Sequence, residues 1–221
     1  MSLVLAYDCA VSGLTLAVVR DGEVLAVHRE EGREQAARLL PAIAELLDKA
    51  GVPKRALSMI ATTIGPGSFT GVRVGLAAAR GLSVALAIPL AGIATTETLL
   101  AQAPESGRLA VAAIDSHLGD WFCATAEAPR SPFLASTAAL AERLAGRSSL
   151  IIGPQAGALA PLLPGAEADV AWPDASVVAR LALKEGIERW RERNRTEGLP
   201  RPVYLRGVNV TAPDGTRLTV D

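Results

Sequence analysis

Cysteine and histidine are both scarce in this chain. Its 221 residues include two cysteines, Cys9 and Cys123, and two histidines, His28 and His117. Both cysteines lie in apolar runs, which is typical of small buried core residues, and so few of them argue against the disulfide framework of a secreted domain. The sequence has no HxxxH, HExxH or CxxC spacing, so it gives no support to a metal site built from these residues.

An excess of charge of one sign is also lacking. The formal net charge is −1, so no overall field draws the chain to nucleic acid or to an anionic membrane. The longest apolar stretch, 81–94, contains Pro89 and is shorter than the roughly 20 residues that a membrane span needs. Residues 1–10 are apolar without a basic segment, so we expect no signal peptide. These absences predict a cytoplasmic protein that does not use a membrane.

Apolar residues, in contrast, make up 50% of the chain. That content suffices for a substantial core, in one large domain or two small lobes. Asp21-Gly22 is a strong signal for a hairpin turn between two strands. Thr95 or Thr96 can cap the start of a helix.

Residues 103–107 indicate a domain boundary. We expect a two-lobed α/β protein with lobes at residues 1–103 and 104–221. Apolar periodicity predicts strands at 3–7, 13–20, 23–29, 57–64, 90–93, 108–114, 120–126 and 150–152, and helices at 33–50, up to 87, up to 103, 136–145 and 174–193.

A glycine-rich turn follows the predicted strand 57–64. It reads Gly65-Pro66-Gly67-Ser68-Phe69-Thr70-Gly71. Glycines permit positive φ or close backbone approach, and free amides at the start of the next helix can hold an anion. No lysine follows the last glycine as it does in a Walker loop. Spacing alone favours a structural turn and leaves phosphate binding as the alternative.

The helix after this turn is unusually poor in charge. From residue 72 to 87 its only charged residues are Arg73 and Arg80, which lie seven apart on one stripe. A helix that covers a sheet normally shows water a polar half. This one therefore needs cover on a second side, either inside its own protein or from another polypeptide. Two lobes of this size leave little room for a fully enclosed helix, which favours an interface.

The predicted interface combines this helix with the apolar face of the helix at 33–50. Large apolar side chains on one face adjoin small ones that let another helix approach closely. We expect Ala78→Arg or Gly81→Arg to disrupt association without unfolding, because a long charged side chain would enter a desolvated contact. The predicted interface residues are Leu39, Ile43, Val72, Arg73, Gly75, Leu76, Ala78, Ala79, Gly81, Leu82 and Ala85.

Residues 64–76, which contain the glycine-rich turn, closely resemble the signature of the TsaB family, also called YeaZ. Further segments agree with that family along most of the chain, strongly to about Glu97 and loosely afterwards. Those segments are the first strand at 3–8 ending in Asp8, Arg33-Glu34-Gln35 with Leu39-Leu40-Pro41, Ile114-Asp115, and Tyr204-Leu205-Arg206.

The resemblance implies the actin-like ATPase (ribonuclease H-like) fold with two related lobes. It also implies a part in forming N6-threonylcarbamoyladenosine in tRNAs that read codons starting with A. In that family the catalytic partner TsaD carries the metal and nucleotide site. TsaB-like proteins are non-catalytic, bind and activate TsaD or pair with themselves through two helices of the first lobe, and are joined by TsaE. The resemblance therefore implies indirect tRNA contact and no tightly bound cofactor, with ATP or ADP allowed at the partner interface.

The chain departs from the family pattern at three places. Cys9 and Ala10 follow Asp8 where the family usually has a hydroxyl residue, which weakens the case for phosphate binding by the opening turn. Gln35 stands where relatives often have His. Ser116-His117 stands where the family tends to Ala-Arg. The last two changes bear on details of partner contact.

Two enzymatic alternatives remain beside the subunit interpretation. Asp8, at the end of a first strand of an actin-like fold, would face the cleft, where such a residue positions a metal or water. Alone it cannot support phosphoryl transfer, so we expect a vestigial nucleotide site, with a free-standing ATP-dependent enzyme as the alternative. A peptidase is the weaker alternative, because the neighbours Asp115, Ser116 and His117 point to opposite sides of a strand and cannot form a triad among themselves.

Residues 184–206 contain seven basic and four acidic residues, a net charge of +3. This stretch either contacts tRNA phosphates or is a solvated helix end, and the mixed charge favours the second interpretation. The apolar face of the helix at 174–193 also changes side along its length. We therefore expect a break near Gly186 or two different neighbours.

Overall fold

Apolar runs near the N-terminus form the buried centre of a five-stranded sheet. The computed structural model describes residues 2–32, 34–206, 208–211 and 217–220. The strand order is β3-β2-β1-β4-β5, with β1, β2 and β3 antiparallel and β1, β4 and β5 parallel. The predicted turn at Asp21-Gly22 joins β2 to β3, and both residues have positive φ. The strands are β1 (Leu3–Asp8), β2 (Leu14–Arg20), β3 (Glu23–Glu30), β4 (Met59–Thr63) and β5 (Leu90–Ile93).

Two long helices cover one face of this sheet. They are α1 (Gln35–Lys49) and α2 (Phe69–Leu86). The predicted start of α1 at Arg33 lies outside the described residues. Leucine and tyrosine side chains of β1 pack against the apolar stripe of α1, whose spacing is that of one helix face. That stripe consists of Leu39, Ala42, Ile43, Leu46 and Leu47.

A second five-stranded sheet repeats the topology of the first. Its order is β10-β9-β6-β7-β8, again with a three-stranded antiparallel part and a three-stranded parallel part that share one strand. The two-lobed α/β prediction is therefore confirmed. Sequence reasoning missed the short edge strands β8 and β10. The strands are β6 (Leu109–Asp115), β7 (Trp121–Thr125), β8 (Phe133–Ala135), β9 (Ser149–Gly153) and β10 (Ala166–Val170).

The remaining elements are short. Helix α3 begins after Ala94, which makes no side-chain cap, so the predicted capping by Thr95 or Thr96 is wrong: both threonine hydroxyls are buried inside the lobe instead. Both cysteines are buried and free, as predicted. The other elements are α3 (Thr95–Leu100), α4 (Thr137–Arg143), α5 (Ala156–Leu159), α6 (Ala175–Glu185), α7 (Ile187–Thr196), the 3-10 turns Lys54–Ala56 and Ala160–Leu162, and the hairpin of β11 (Val208–Thr211) with β12 (Arg217–Val220).

Helices α6 and α7 return to the first sheet and cover the face opposite α1 and α2. Val178 and Trp190 pack there against Val4 and Ala6 of β1. The segment predicted as a second lobe, 104–221, therefore divides: its sheet forms that lobe, while its later helices complete the core of the first. Gly186, with φ +99°, separates α6 from α7, which confirms the predicted break.

Candidate functional site

The carboxyl ends of β1 and β4 meet at Asp8 and Thr63. Asp8 is only 3% exposed. Its Oδ1 atom accepts hydrogen bonds from the Thr63 hydroxyl and from the backbone N–H of Ala10, the latter at 3.1 Å. Burial raises the pKa of Asp8 to about 6, although these hydrogen bonds oppose the rise. The carboxyl group expected to face the cleft is thus enclosed by its own lobe.

The glycine-rich turn packs directly on the end of β1. The Ser68 N–H donates to the carbonyl of Ala10 at 2.6 Å, and the Ser68 side chain caps α2 by accepting from the N–H of Gly71 at 3.2 Å. A Cβ on Gly67 would lie 2.1 Å from the carbonyl oxygen of Ala10, and a Cβ on Gly71 would lie 1.9 Å from that of Cys9. Both positions therefore require glycine, because any side chain would clash with the backbone after β1. This supports the interpretation of the turn as a structural element.

Metal-binding and hydrolytic groups do not assemble around Asp8. Across residues 2–32 and 34–206, no three His, Cys, Asp or Glu side chains come together as metal ligands. The Ser116 hydroxyl donates to Asp120, whereas His117 lies next to Asp115, with Nδ1 3.4 Å from Oδ2. Ser116 and His117 thus have different partners, so the three adjacent residues form no nucleophile–base pair.

The eleven predicted interface residues do not share one environment. Arg73, Gly81 and Ala85 are exposed on α2, and Ala78 and Leu82 are half-buried. The other six lie in the core of the N-terminal lobe, where they contact their own chain instead of a free surface: Leu39, Ile43, Val72, Gly75, Leu76 and Ala79.

Sequence reasoning missed the most exposed apolar residues of this face. Val84 of α2 is 72% exposed and Leu40 of α1 is 56% exposed. Val84 lies seven residues after Ala77 and three after Gly81, both of which are also exposed, so the helical period places the three together. We call Ala77, Gly81, Val84 and Ala85 the α2 ridge. Because α2 is apolar nearly all round, its sequence could not show which side faces outward.

The two arginines of α2 hold the segment at 199–206, which we call the C-terminal arm. Arg80 donates to the carbonyl of Pro200 at 2.6 Å. Arg73 donates to the hydroxyl of Tyr204 at 2.8 Å, and its guanidinium lies 3.6 Å from the ring centroid of Phe69. The two arginines that the seven-residue spacing placed on one stripe therefore both donate hydrogen bonds to their own chain.

Among the described residues, α2 is the one helix whose length and composition would suit a membrane span. A third of it is buried within the protein. Its buried side packs on β4, and the Tyr7 hydroxyl of β1 donates to the carbonyl of Gly75 at 3.1 Å. In this structure α2 is a layer of the N-terminal lobe.

By sequence, the chain matches a protein-family model and several individual curated proteins. A family model described as "TsaD: tRNA N6-adenosine threonylcarbamoyltransferase" matches residues 8–117. The TsaB protein of Escherichia coli K12, a tRNA threonylcarbamoyladenosine biosynthesis protein, is 33% identical over 123 residues, which are 55% of this chain and 53% of that protein. The TsaB protein of Bacillus subtilis 168 is 34% identical over 99 residues, 44% of this chain and 43% of that protein. The chain thus spans about half the length of the curated relatives it matches.

Solved structures match over more of the chain. YeaZ from Pseudomonas aeruginosa superposes with a TM-score of 0.72 at 30% identity and covers 93% of this chain and 100% of that one. Component A of the (R)-2-hydroxyglutaryl-CoA dehydratase of Acidaminococcus fermentans superposes with a TM-score of 0.53 at 11% identity, covering 84% and 99%. The second likeness concerns the fold alone. Together with the repeated sheet topology, these matches confirm the predicted actin-like (ribonuclease H-like) fold.

Proposed function

The chain belongs to the TsaB (YeaZ) family, and on that premise we propose that it is a non-catalytic subunit in the formation of N6-threonylcarbamoyladenosine in tRNA. It acts by binding and activating a catalytic partner of the TsaD type, with a TsaE-type ATPase joining the complex, and it pairs with itself when that partner is absent. The names of the relatives support the pathway, and the surface of the N-terminal lobe supports the mode of action.

The observation that carries this proposal is the α2 ridge. Its residues are small or apolar and exposed, and Val84 is 72% exposed. Leu40 and Pro41 of the adjacent α1 are also exposed. Exposed apolar helix faces with small residues suit close packing against helices of another polypeptide, because small side chains let two backbones approach.

The enclosed Asp8 supports a non-catalytic role. Phosphoryl transfer needs phosphate-holding loops and charge neutralisation around the reacting groups. Here the amides of Ser68 and Gly71 bind their own chain, and Asp8 is engaged by Thr63 and Ala10. A free-standing ATP-dependent enzyme would need these groups for its nucleotide. We expect no tight binding when the isolated chain is titrated with ATP and magnesium in a calorimeter.

The direct test is reconstitution of tRNA modification. Unmodified tRNA is incubated with TsaD, TsaE and the enzyme that makes threonylcarbamoyl-adenylate, with and without this chain. We expect transfer only in its presence, and none by this chain alone. Modification that proceeds equally well without the chain would overturn the proposal.

The interface is tested by co-purification with TsaD of Gly81→Arg and Val84→Arg variants. A Cβ at Gly81 meets no atom within 4 Å, and replacing a helical glycine raises helix propensity, so the Gly81 variant should remain folded. Leu162→Arg is the matched control, because Leu162 is similarly exposed but lies on the second lobe. We expect the α2 variants to lose the partner and the control to keep it. Equal recovery of all three variants would contradict the proposed interface.

A further inference from the structure

A groove of about 350 Å³ lies between the two lobes, at the edge of α6. Arg130 from the second lobe and Lys184 and Arg189 from α6 and α7 line it, with Glu97 of α3 and Glu185 of α6. Leucine and alanine side chains form its floor. We call these five charged residues and their floor the cationic groove.

Three cations in and beside this groove are not neutralised by ion pairs. Within the described part of the chain, Arg130, Lys184 and the neighbouring Arg180 make no ion pair. All three are exposed. Arg180 lies one helical turn before Lys184, so both project from the same side of α6. The two unpaired cations that line the groove, with Arg180 beside them on α6, favour an anionic ligand.

The two carboxylates of the groove weaken this charge only in part. Glu185 is paired with both Arg189 and Arg193, at 3.7 and 2.6 Å. Burial, and after it the neighbouring Glu185, raise the pKa of Glu97 above its usual range, while Arg130 and Lys184 oppose the rise. Three cations therefore line the groove with two carboxylates, and Arg193 pairs with one of those carboxylates, Glu185.

The distribution of charge along the chain agrees with this asymmetry. Residues 180–196 of α6 and α7 carry six basic and three acidic side chains, whereas the whole chain has a net charge of −1. The rest of the protein is therefore acidic, and the positive field is concentrated on the α6–α7 side. Such a local patch on an otherwise acidic protein is the electrostatic footprint of a surface that contacts nucleic acid.

The position of the groove is compatible with a partner on α1 and α2. Helices α6 and α7 cover one face of the N-terminal sheet, and α1 and α2 cover the other. A ligand on the cationic groove would leave the α2 ridge free. One molecule could thus bind the catalytic subunit and a polyanion at the same time.

We infer that the cationic groove binds the phosphate backbone of tRNA, with Arg130 and Lys184 as the contacting cations. This inference rests on the proposed function for the identity of the RNA. The contacts are to phosphates and carry no sequence information, so they position the tRNA and add affinity.

The test measures binding of fluorescently labelled, unmodified tRNA to the isolated chain, by anisotropy over a series of salt concentrations. The Arg130→Gln/Lys184→Gln double variant should bind about tenfold more weakly at ~50 mM salt. The slope of log K against log salt should fall by about 0.7–0.9 for each phosphate contact removed. Lys49→Gln/Arg55→Gln is the matched control, because it removes two exposed cations in the stretch from the end of α1 to the following 3-10 turn, outside the groove.

A third variant gives an effect of the opposite sign. Glu97→Gln removes a carboxylate that repels phosphate, so it should tighten tRNA binding by about twofold to threefold at low salt. A groove that contributes only to folding would not produce this gain. Thermal unfolding of each variant shows that the fold is retained.

The outcomes separate the two proposals. If the double variant, the control and Glu97→Gln all bind tRNA with the wild-type affinity and salt slope, the groove does not bind RNA and this inference is wrong. If the groove variants change tRNA affinity as expected while the reconstituted modification does not depend on this chain, the inference stands and the proposed function fails. If the control weakens binding as much as the double variant, the interaction is diffuse and the groove assignment is wrong.

Discussion

The hydroxyl of Thr63 donates a hydrogen bond to the carboxylate of Asp8, and this contact joins the ends of two neighbouring parallel strands inside the N-terminal lobe. An acid in that place carries a cost, because burial disfavours its charged form. Its hydrogen-bond partners are the Thr63 hydroxyl at the end of β4 and the backbone of Ala10 and Val11, which follow β1. The role of Asp8 here is therefore structural: its side chain links the ends of β1 and β4.

The first prediction concerns the pH dependence of stability. Because the pKa of Asp8 is about 6 in the folded protein, against 3.8 for an ordinary aspartate, the native state binds more protons than the unfolded state between these values. Stability contributed by this group is full below pH 4 and is lost as pH rises to 6, by about 2–3 kcal/mol. The difference in unfolding free energy between wild type and Asp8→Asn, from urea titrations at pH 4 to 7.5, should show this fall. A pH-independent difference would contradict it.

The second prediction uses two glycines of α2 that differ in their surroundings. A Cβ at Gly71 would lie 1.9 Å from the carbonyl oxygen of Cys9, whereas a Cβ at Gly81 meets nothing within 4 Å. We expect Gly71→Ala to destabilise the protein by about 1–3 kcal/mol, because backbone must move. Gly81→Ala should stabilise it by about 0.5–1 kcal/mol through helix propensity. Denaturant titration of both variants checks this, and a harmless Gly71→Ala would show that the turn does not need the close approach.

The central strands and long helices of the first lobe could be predicted because their apolar residues follow strand or helix periods. Residues 3–8 are a continuous apolar run ending in Asp8, and α1 shows one clear apolar stripe. The edge strand β10 was missed because its side chains are exposed or half-buried, so it has no apolar run. The three residues of β8 are too few to show a period.

The candidate site was harder to predict than the fold. The sequence identified the glycine-rich turn and the low charge of α2, but α2 is apolar nearly all round. Only packing shows that Val72, Leu76 and Ala79 face inward and that Val84 faces outward. In the same way, the two apolar faces of 174–193 indicated a break at Gly186 but could not show that both helices return to the first sheet.

The third prediction concerns the segment that leads into α6. The Gln102 side-chain amide donates to the carbonyl of Trp172 at 3.0 Å, and its carbonyl oxygen accepts from the N–H of Asp174 at 3.0 Å. Gln102→Ala leaves both backbone groups without this partner and should cost about 1–2 kcal/mol of unfolding free energy. Gln155→Ala, at the start of α5 where Gln155 makes no side-chain cap, is the control. Equal stability of the two variants in urea would contradict the role of Gln102.

The last prediction concerns the C-terminal arm. A Cβ on Gly92 of β5 would lie 2.6 Å from Cβ of Pro200 and 2.8 Å from the Ile64 side chain. Gly92→Ala should therefore push the arm away from the sheet and weaken the hydrogen bond from the N–H of Val203 to the carbonyl of Ile64, which measures 2.8 Å. Each 1.4 kcal/mol lost from the closed arm would speed hydrogen exchange at the Val203 amide about tenfold.

Gly157→Ala is the matched control for that measurement, because its Cβ would meet only the Val170 side chain at an ordinary distance of 3.5 Å. We expect its Val203 amide to exchange at the wild-type rate. The arm also bonds to both arginines of α2, so loosening it should release Arg73 and Arg80 from their partners. If Gly92→Ala leaves exchange at Val203 unchanged, the arm is held by contacts other than its close approach to β5.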